Sequence, residues 1–314
     1  MEAKVQILLS TYNGEKYLLE QLNSLLQQSY SNIHILIRDD GSSDNTVNIL
    51  KNYQKIFPQK IKLVLEKNIG VVNSFFKLIE ISENNYDFYF FCDQDDFWEK
   101  DKIKEAVKKI KEIKEIKEEK DKCIGYCSNL KIVDADLRFI RFAYSKALKP
   151  SLLNSFLENV ITGCSYACNK NLFLKIKESI KVINNKKVLM HDYYFYILNC
   201  LYGELIYDEK SYILYRQHSN NVCGMKEKNS FLNNILKSLK NRNENKRIFF
   251  LEEIYLKYNQ DFKEQEREYL KTLLDNYNKS FIERFITIKK LKFVKQNPKN
   301  EIFLKMKYLL KIFG

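Results

Sequence analysis

Strand and helix patterns alternate through the first hundred residues, and no other feature restricts the fold of this chain so tightly. Residues 5–10 form an apolar run of strand length, after which Tyr17, Leu18, Leu22, Leu25 and Leu26 mark one face of a helix. Residues 33–37 read as a second strand, and Asp44 as the cap of a helix running to about Phe57. A third strand follows at 61–65, a helix at 70–82 and a fourth strand at 88–92. This βαβαβαβ order calls for a parallel sheet with right-handed crossovers, so the expected class is α/β with helices on both faces. From 101 to 120, Ile103, Val107, Ile110 and Ile113 make a narrow apolar stripe among Lys and Glu, a surface helix to which no chemistry is assigned.

The pattern changes after residue 122. Short strand-like pieces at 123–128, 161–167, 205–207 and 213–216 alternate with helical ones, which fits an added mixed sheet. Beyond Cys223 and Gly224 the pattern is helical to the end apart from Pro298, so a boundary is placed near 225, separating domain 1–225 from a C-terminal region 226–314. Charge supports the division. Of the formal net charge of +13, residues 226–314 carry +10, from 21 basic and 11 acidic side chains. Such asymmetry suggests an anionic partner for the C-terminal region, although no nucleic-acid motif accompanies it and nucleic acid is not expected. No stretch approaches the ~20 apolar residues of a membrane span. The first residues run straight into a strand without a signal-peptide pattern, and the seven cysteines show no zinc-type spacing. A reduced, cytosolic protein is the expectation.

Three polar loops should meet at the carboxyl edge of the sheet, where open α/β sheets bind ligands. Ser10-Thr11-Tyr12-Asn13-Gly14 follows the first strand, Asp39-Asp40-Gly41-Ser42 the second, and Asp93-Gln94-Asp95-Asp96 the fourth. Three carboxylates within four residues repel unless a cation holds them, and Mg²⁺ or Mn²⁺ beside a diphosphate would serve. A solvated acidic turn leading into the next helix is the other reading of these residues. An EF-hand is excluded, because the sixth and twelfth positions from Asp93 are Trp98 and Lys104. No G-x-G-x-x-G follows the first strand, which weakens a dinucleotide site. Two of the three histidines stand near candidate chemistry. Asp192, after His191, reads as a helix cap or a general base, and His218 as a metal ligand or a structural histidine.

Taken in order, the motifs carry a resemblance. Leu9-Ser10-Thr11-Tyr12-Asn13-Gly14, Arg38-Asp39-Asp40-Gly41-Ser42-Ser43-Asp44, Asp93-Gln94-Asp95-Asp96-Phe97-Trp98, Thr162-Gly163-Cys164, His191-Asp192-Tyr193-Tyr194 and Tyr215-Arg216-Gln217-His218 together resemble family 2 glycosyltransferases of the GT-A fold. The branch they resemble most is that of bacterial rhamnosyltransferases. The resemblance spans roughly residues 4 to 224, and Lys100 departs from it where many relatives have proline. It implies that Ser10, Tyr12 and Asp40 hold the nucleoside while Asp39 supports the turn. Asp93 would face the ribose and sugar, and Asp96 the donor sugar. Asp95 would ligate Mg²⁺ or Mn²⁺, with His218 near the metal and diphosphate. Gly163 would line the acceptor site, and Asp192 would be the catalytic base.

The implied activity is inverting transfer from a nucleoside-diphosphate sugar, dTDP-rhamnose or a UDP-sugar, to a hydroxyl of a growing cell-surface glycan. Two alternatives stand beside it. A nucleotidyltransferase would need a richer phosphate loop than residues 10–16, which hold one glycine and one lysine. A non-catalytic nucleotide-sugar-binding or scaffold subunit of a polysaccharide assembly complex would not need both Asp95 and Asp192. At the C-terminus, Ile302, Phe303, Met306, Leu309, Leu310 and Phe313 share one helical face, with Lys307 and Lys311 opposite and Lys289, Lys290, Lys292, Lys295 and Lys299 upstream. That pattern predicts an interfacial helix on the inner, cytoplasmic face of the membrane, beside a lipid-linked acceptor; packing of the same residues onto 230–283 is the alternative.

Overall fold

In the computed structural model, which describes residues 2–117, 121–218, 245–293, 295–296 and 298–313, the N-terminal alternation becomes four parallel strands. They are β1 (Val5–Thr11), β2 (Ile33–Asp39), β3 (Ile61–Leu65) and β4 (Phe88–Cys92), lying side by side in the order β3-β2-β1-β4. The crossovers are α1 (Leu18–Leu26), α2 (Thr46–Ile56) and α3 (Val71–Ile81). Every residue of β4 is buried, which explains its unbroken apolar run: helices cover a parallel sheet on both faces. Because β1 pairs with β2 and β4 on its two sides, the three polar loops leave adjacent strand ends.

The expected mixed sheet is continuous with the parallel one. Beyond β4 come β8 (Ala167–Asn169) and β6 (Cys123–Val133), each antiparallel to its predecessor, then β9 (Gly203–Arg216) parallel to β6 and β5 (Phe97–Trp98) antiparallel to β9. A further strand, β7 (Phe139–Phe142), forms a hairpin on β6. Two strand expectations change. Segment 161–167 is mostly irregular and contains a single 3₁₀ turn, Gly163–Ser165, because Thr162, Gly163 and Ser165 break the apolar run. The pieces at 205–207 and 213–216 are two ends of one strand, interrupted by a register shift opposite Ser128–Lys131. The helix expected at 101–120 is α4 (Lys102–Lys117), packed on the sheet through Ile103, Val107 and Ile110.

The chain divides into two compact units. One comprises Met1–Leu148, Ile161–Ile180 and Tyr202–Gly224, and the other Lys149–Val160, Lys181–Leu201 and Met225–Gly314. The second unit thus takes two segments from before residue 225. It contains α5 (Leu152–Ser155), α7 (His191–Tyr202) up to Leu201, α8 (Lys246–Tyr258), α9 (Glu264–Tyr277), α10 (Phe281–Lys290) and α11 (Pro298–Leu309), whereas α6 (Lys170–Ser179) belongs to the first. Part of the expected C-terminal helical stretch, 219–244, lies outside the described residues, as does Cys223. The six described cysteines are free thiols. Among the described residues, no helix is long and apolar enough to cross a membrane.

The last helix packs through the side opposite the face expected to be interfacial. The structure buries Leu304, Tyr308, Ile312 and Phe313, and leaves Ile302 exposed. Leu304, Tyr308 and Ile312 are spaced four apart and share a stripe, and Tyr308 packs against Tyr277 and Phe293. Tyr308 Oη donates to the Leu273 carbonyl (2.7 Å) and the Phe313 amide to Tyr277 Oη (3.2 Å). The stripe includes a tyrosine whose hydroxyl finds an internal partner, so this side packs, while of the expected face Ile302 is exposed, Phe303, Met306, Leu309 and Leu310 are half-buried and Phe313, beyond the helix, is buried.

Candidate active site

The nucleoside loops are organised by two aspartates with different tasks. Asp39 ends β2, where its Oδ1 accepts from the amides of Gly41 (3.1 Å) and Ser42 (2.9 Å) and its Oδ2 from Thr11 Oγ1 (2.9 Å). That pattern ties the second loop to the end of β1, and Gly41 supplies the positive φ (+79°) the turn requires. Asp40 accepts from Arg38 Nη1 (2.6 Å) and from the amides of Ile69 (2.8 Å) and Gly70 (2.9 Å) ahead of α3. Three of about four acceptor positions on this carboxylate are taken, leaving room for one further donor. Ser10 joins the same network, since its Oγ lies 2.6 Å from Ser74 Oγ, which accepts from Arg38 Nη1 at 2.9 Å.

Tyr12 has an exposed ring and a pinned backbone. Gln94 of the acidic turn accepts from the Tyr12 amide (2.8 Å) and donates to its carbonyl (2.9 Å), locking the first loop to the third. Gly14 permits this approach, because a Cβ there would fall 2.2 Å from Gln94 Oε1. The sequence places Gln94 between two carboxylates and gives no hint of this clasp.

Within the acidic turn each carboxylate has its own surroundings. Asp95 is partly exposed, and its Oδ2 lies 2.9 Å from His218 Nε2. The His218 ring packs against Tyr17 at a tilt of 31°, with centroids 4.9 Å apart. Asp96 differs from the expectation of a donor-sugar contact. It is shut off from solvent, with Oδ1 accepting the Arg216 amide (3.1 Å) and the Cys164 thiol alongside. Burial, reinforced by Asp95 and Asp93, pushes its carboxyl well above the usual range. Gly163, expected at the acceptor, opens the 3₁₀ turn that carries Cys164 to this place.

Two donor sets could be considered for a divalent ion. Asp93, Asp96 and Cys164 hold potential ligand atoms within 4.8 Å of one another, but Asp96 and Cys164 are wholly buried and a soft sulfur ligand suits neither Mg²⁺ nor Mn²⁺. Asp95 and His218 fit better. Asp95 Oδ2 and His218 Nε2 are hydrogen-bonded neighbours 2.9 Å apart on partly exposed side chains, so one ion could take both as ligands. A carboxylate with an imidazole suits Mn²⁺ more than Mg²⁺, which favours oxygen alone.

Arg216 and Lys102 are the residues the sequence reading passed over. Arg216, buried at the end of β9, donates Nε to the Asp95 carbonyl (2.9 Å) and its two terminal nitrogens to the Ala135 carbonyl and Glu20, with its guanidinium 4.3 Å from the Tyr17 ring centre. It fixes the backbone of the turn that presents Asp95. Lys102, in the first turn of α4, is buried with its Nζ 3.6 Å from the Trp98 ring centre and without a hydrogen-bond partner among the described residues. Burial pushes its ammonium down to about 8, opposed by Cys164, Cys92 and Asp96, so a cation stands behind the acidic turn.

Asp192 belongs to the second compact unit, in the first turn of α7. It is 8% exposed, and Oδ1 accepts from the Tyr193 amide (2.6 Å) and from Asn159 Nδ2 (3.0 Å). The preceding His191 is buried and held neutral, its imidazole pushed down to about 3 by burial.

Residues 6–116 match the family model described as glycosyl transferase family 2. Over 225 residues, 69% of this chain and 73% of the relative, the sequence is 34% identical to the dTDP-rhamnosyl transferase RfbG of Shigella flexneri. The crystal structure of S. aureus TarS 1–349 in complex with UDP-GlcNAc superposes with a TM-score of 0.58 at 18% identity, covering 99% of this chain and 82% of that one. The mannosyltransferase PcManGT from Pyrobaculum calidifontis, in complex with GDP-Man and Mn²⁺, gives a TM-score of 0.54 at 12% identity, covering 99% and 86%. At such identities the structural likeness concerns the fold, which is that of GT-A glycosyltransferases.

Proposed function

Since the chain belongs to glycosyltransferase family 2 and is therefore a glycosyltransferase, we propose that it transfers a sugar, with inversion, from a nucleoside diphosphate to a hydroxyl of a growing cell-surface glycan. The observation that carries this reading is the Asp95–His218 pair at the end of β4, next to the Ser10, Asp39 and Asp40 loops on neighbouring strands. A nucleoside over the first two loops would bring its diphosphate to the third. In the first two loops Tyr12 offers an exposed ring and the Asp40 carboxylate one acceptor for a base N–H, and in the third Asp93 offers a carboxylate for ribose or sugar hydroxyls. A divalent ion on Asp95 and His218 would neutralise charge growing on the departing diphosphate.

Asp192 takes the proton from the acceptor hydroxyl as that oxygen attacks the anomeric carbon. The bonds from the Tyr193 amide and Asn159 fix the carboxylate for this task. Deprotonation need not precede attack, so a carboxylate suffices, contributing on the order of 10²–10⁴-fold. The relative in Shigella is named for a dTDP-rhamnosyl donor, which favours dTDP-rhamnose ahead of UDP-sugars. We assign the acceptor to a lipid-linked glycan on the cytoplasmic face of the membrane.

The test is a panel of nucleotide sugars with Mg²⁺ and with Mn²⁺, read by nucleoside-diphosphate release. Turnover with a dTDP- or UDP-sugar is expected. Activity confined to GDP- or CMP-sugars, or none with any donor, would reject the reading.

A further inference from the structure

Helix α10 is built inside out. Of its ten residues, the fully buried ones are the polar pair Arg284 and Thr287, while Phe281 (54%), Ile282 (69%), Phe285 (43%) and Ile286 (56%) stand exposed. At about 100° per residue these four fall within an arc of roughly 140°, on the side away from Arg284 and Thr287. The orientation is firmly held. Arg284, on the buried side, donates Nε to the Leu309 carbonyl of the last helix (2.9 Å), and a Ser280–Glu283 capping box starts the helix. The helix therefore cannot roll to hide its apolar side without breaking internal bonds. A soluble surface rarely presents contiguous large apolar residues in this way unless something covers them.

The surrounding charge says what covers them. Lys279, Lys289, Lys290 and Lys292 are exposed at the two ends of the helix, and Lys289, one turn beyond Phe285 on the same side, holds its Nζ 4.7 Å from the Phe285 ring centre. Glu283, already engaged in the cap, is the one acidic residue between 279 and 292. An apolar ridge rimmed by lysines matches an anionic bilayer surface, with Phe and Ile among the acyl chains and ammonium groups at the phosphates. A second copy of the chain is a poorer occupant, because a two-fold contact would set the same lysines against each other. We propose that α10 is an element by which this protein docks on anionic lipid. The reading deepens the assignment of a membrane-borne acceptor and rests on it for its purpose, but the binding can be measured without turnover.

The experiment is co-sedimentation of the full chain with phosphatidylcholine vesicles, with and without phosphatidylglycerol, at low and high salt. Wild type should bind the anionic vesicles and lose them as salt rises. Two variants probe the two halves of the surface. Phe285→Glu/Ile286→Glu should lower partitioning at least tenfold. Lys289→Glu/Lys290→Glu should lower it roughly thirtyfold, at about 1 kcal/mol per lysine and 1.4 kcal/mol per decade. All four positions are exposed, so circular dichroism should show both variants folded; should one fail to fold, the other decides. Wild-type partitioning by the variants, equal binding to neutral and anionic vesicles, or no binding by wild type at low salt would overturn the proposal. So would self-association without lipid, abolished by Phe285→Glu/Ile286→Glu, since the occupant would then be a second copy. Nucleotide release should be unchanged in both variants; a chain that binds vesicles yet releases no nucleotide counts against the donor reading and not against this surface.

Discussion

Replacing Arg216 by methionine should cost this protein far more than the loss of one ion pair. Methionine keeps a long apolar stem over Tyr17 but removes every donor of the guanidinium. The carbonyls of Asp95 and Ala135 then lose their partner, at ~1–3 kcal/mol for each acceptor left unsatisfied. Loss of the cation from the Tyr17 face, with ring centre and Arg216 Cζ 4.3 Å apart, adds on the order of 1–2 kcal/mol. Glu20 contributes little, because its side chain is 53% exposed and water replaces the lost pair. These contributions span about 3–8 kcal/mol, and the usual cost of removing one member of a buried polar cluster places the expected loss at the lower end, about 3–5 kcal/mol. In a unit of this size that lowers the melting temperature by roughly 6–20 °C. Arg216→Lys should recover part of it, since an ammonium can satisfy one acceptor but not three in a fixed fork. Differential scanning calorimetry of the three proteins measures the series, and Mn²⁺ titration reads whether the turn carrying Asp95 has moved. A methionine variant that melts within about 2 °C of wild type would refute the reasoning, because it would mean that Arg216 does not hold this turn.

Other consequences concern the reaction and its pH limits. Asp95→Asn and His218→Ala should each weaken Mn²⁺ binding at least tenfold, measured by electron paramagnetic resonance on the folded proteins, with unchanged affinity in both removing the metal assignment. Asp192→Asn should bind donor normally while transfer falls by about a hundredfold or more, and near-normal turnover would reduce Asp192 to a helix cap. His191 should set an acid limit on stability. Its folded-state value, about 3, lies below the ordinary 6.5, so the unfolded chain takes up the proton first and stability, level above 6.5, falls as pH drops from there towards 3. By about pH 5 the deficit reaches roughly 2 kcal/mol. Urea unfolding at both pH values should show that drop in wild type and its absence in His191→Phe; equal slopes would show that the imidazole is not buried neutral.

Local rules determined the parallel half of the fold and most of the candidate site. Strands β1 to β4 are contiguous apolar runs, helices α1 to α3 carry a 3.6-residue stripe, and a polar loop after each of three strands must emerge at the carboxyl edge once the crossovers are right-handed. Asp39 as the support of its turn is what the family resemblance implies, and the structure makes that role a local one, since its partners Gly41 and Ser42 are its chain neighbours. Only the tertiary structure decided what distant segments do to one another. The clasp between Gln94 and Tyr12 spans 82 positions, and the pairing of Asp95 with His218 spans 123. Neither leaves a periodic trace. Lys102 looks like any lysine of a charged helix until α4 turns it beneath the acidic loop, and α11 hides a stripe that includes Tyr308 because Leu273 and Tyr277 supply its polar partners. Periodicity records which face of an element is apolar, but which face is covered depends on the neighbour that arrives. That is why α10 shows its apolar side while Arg284 and Thr287 lie inside.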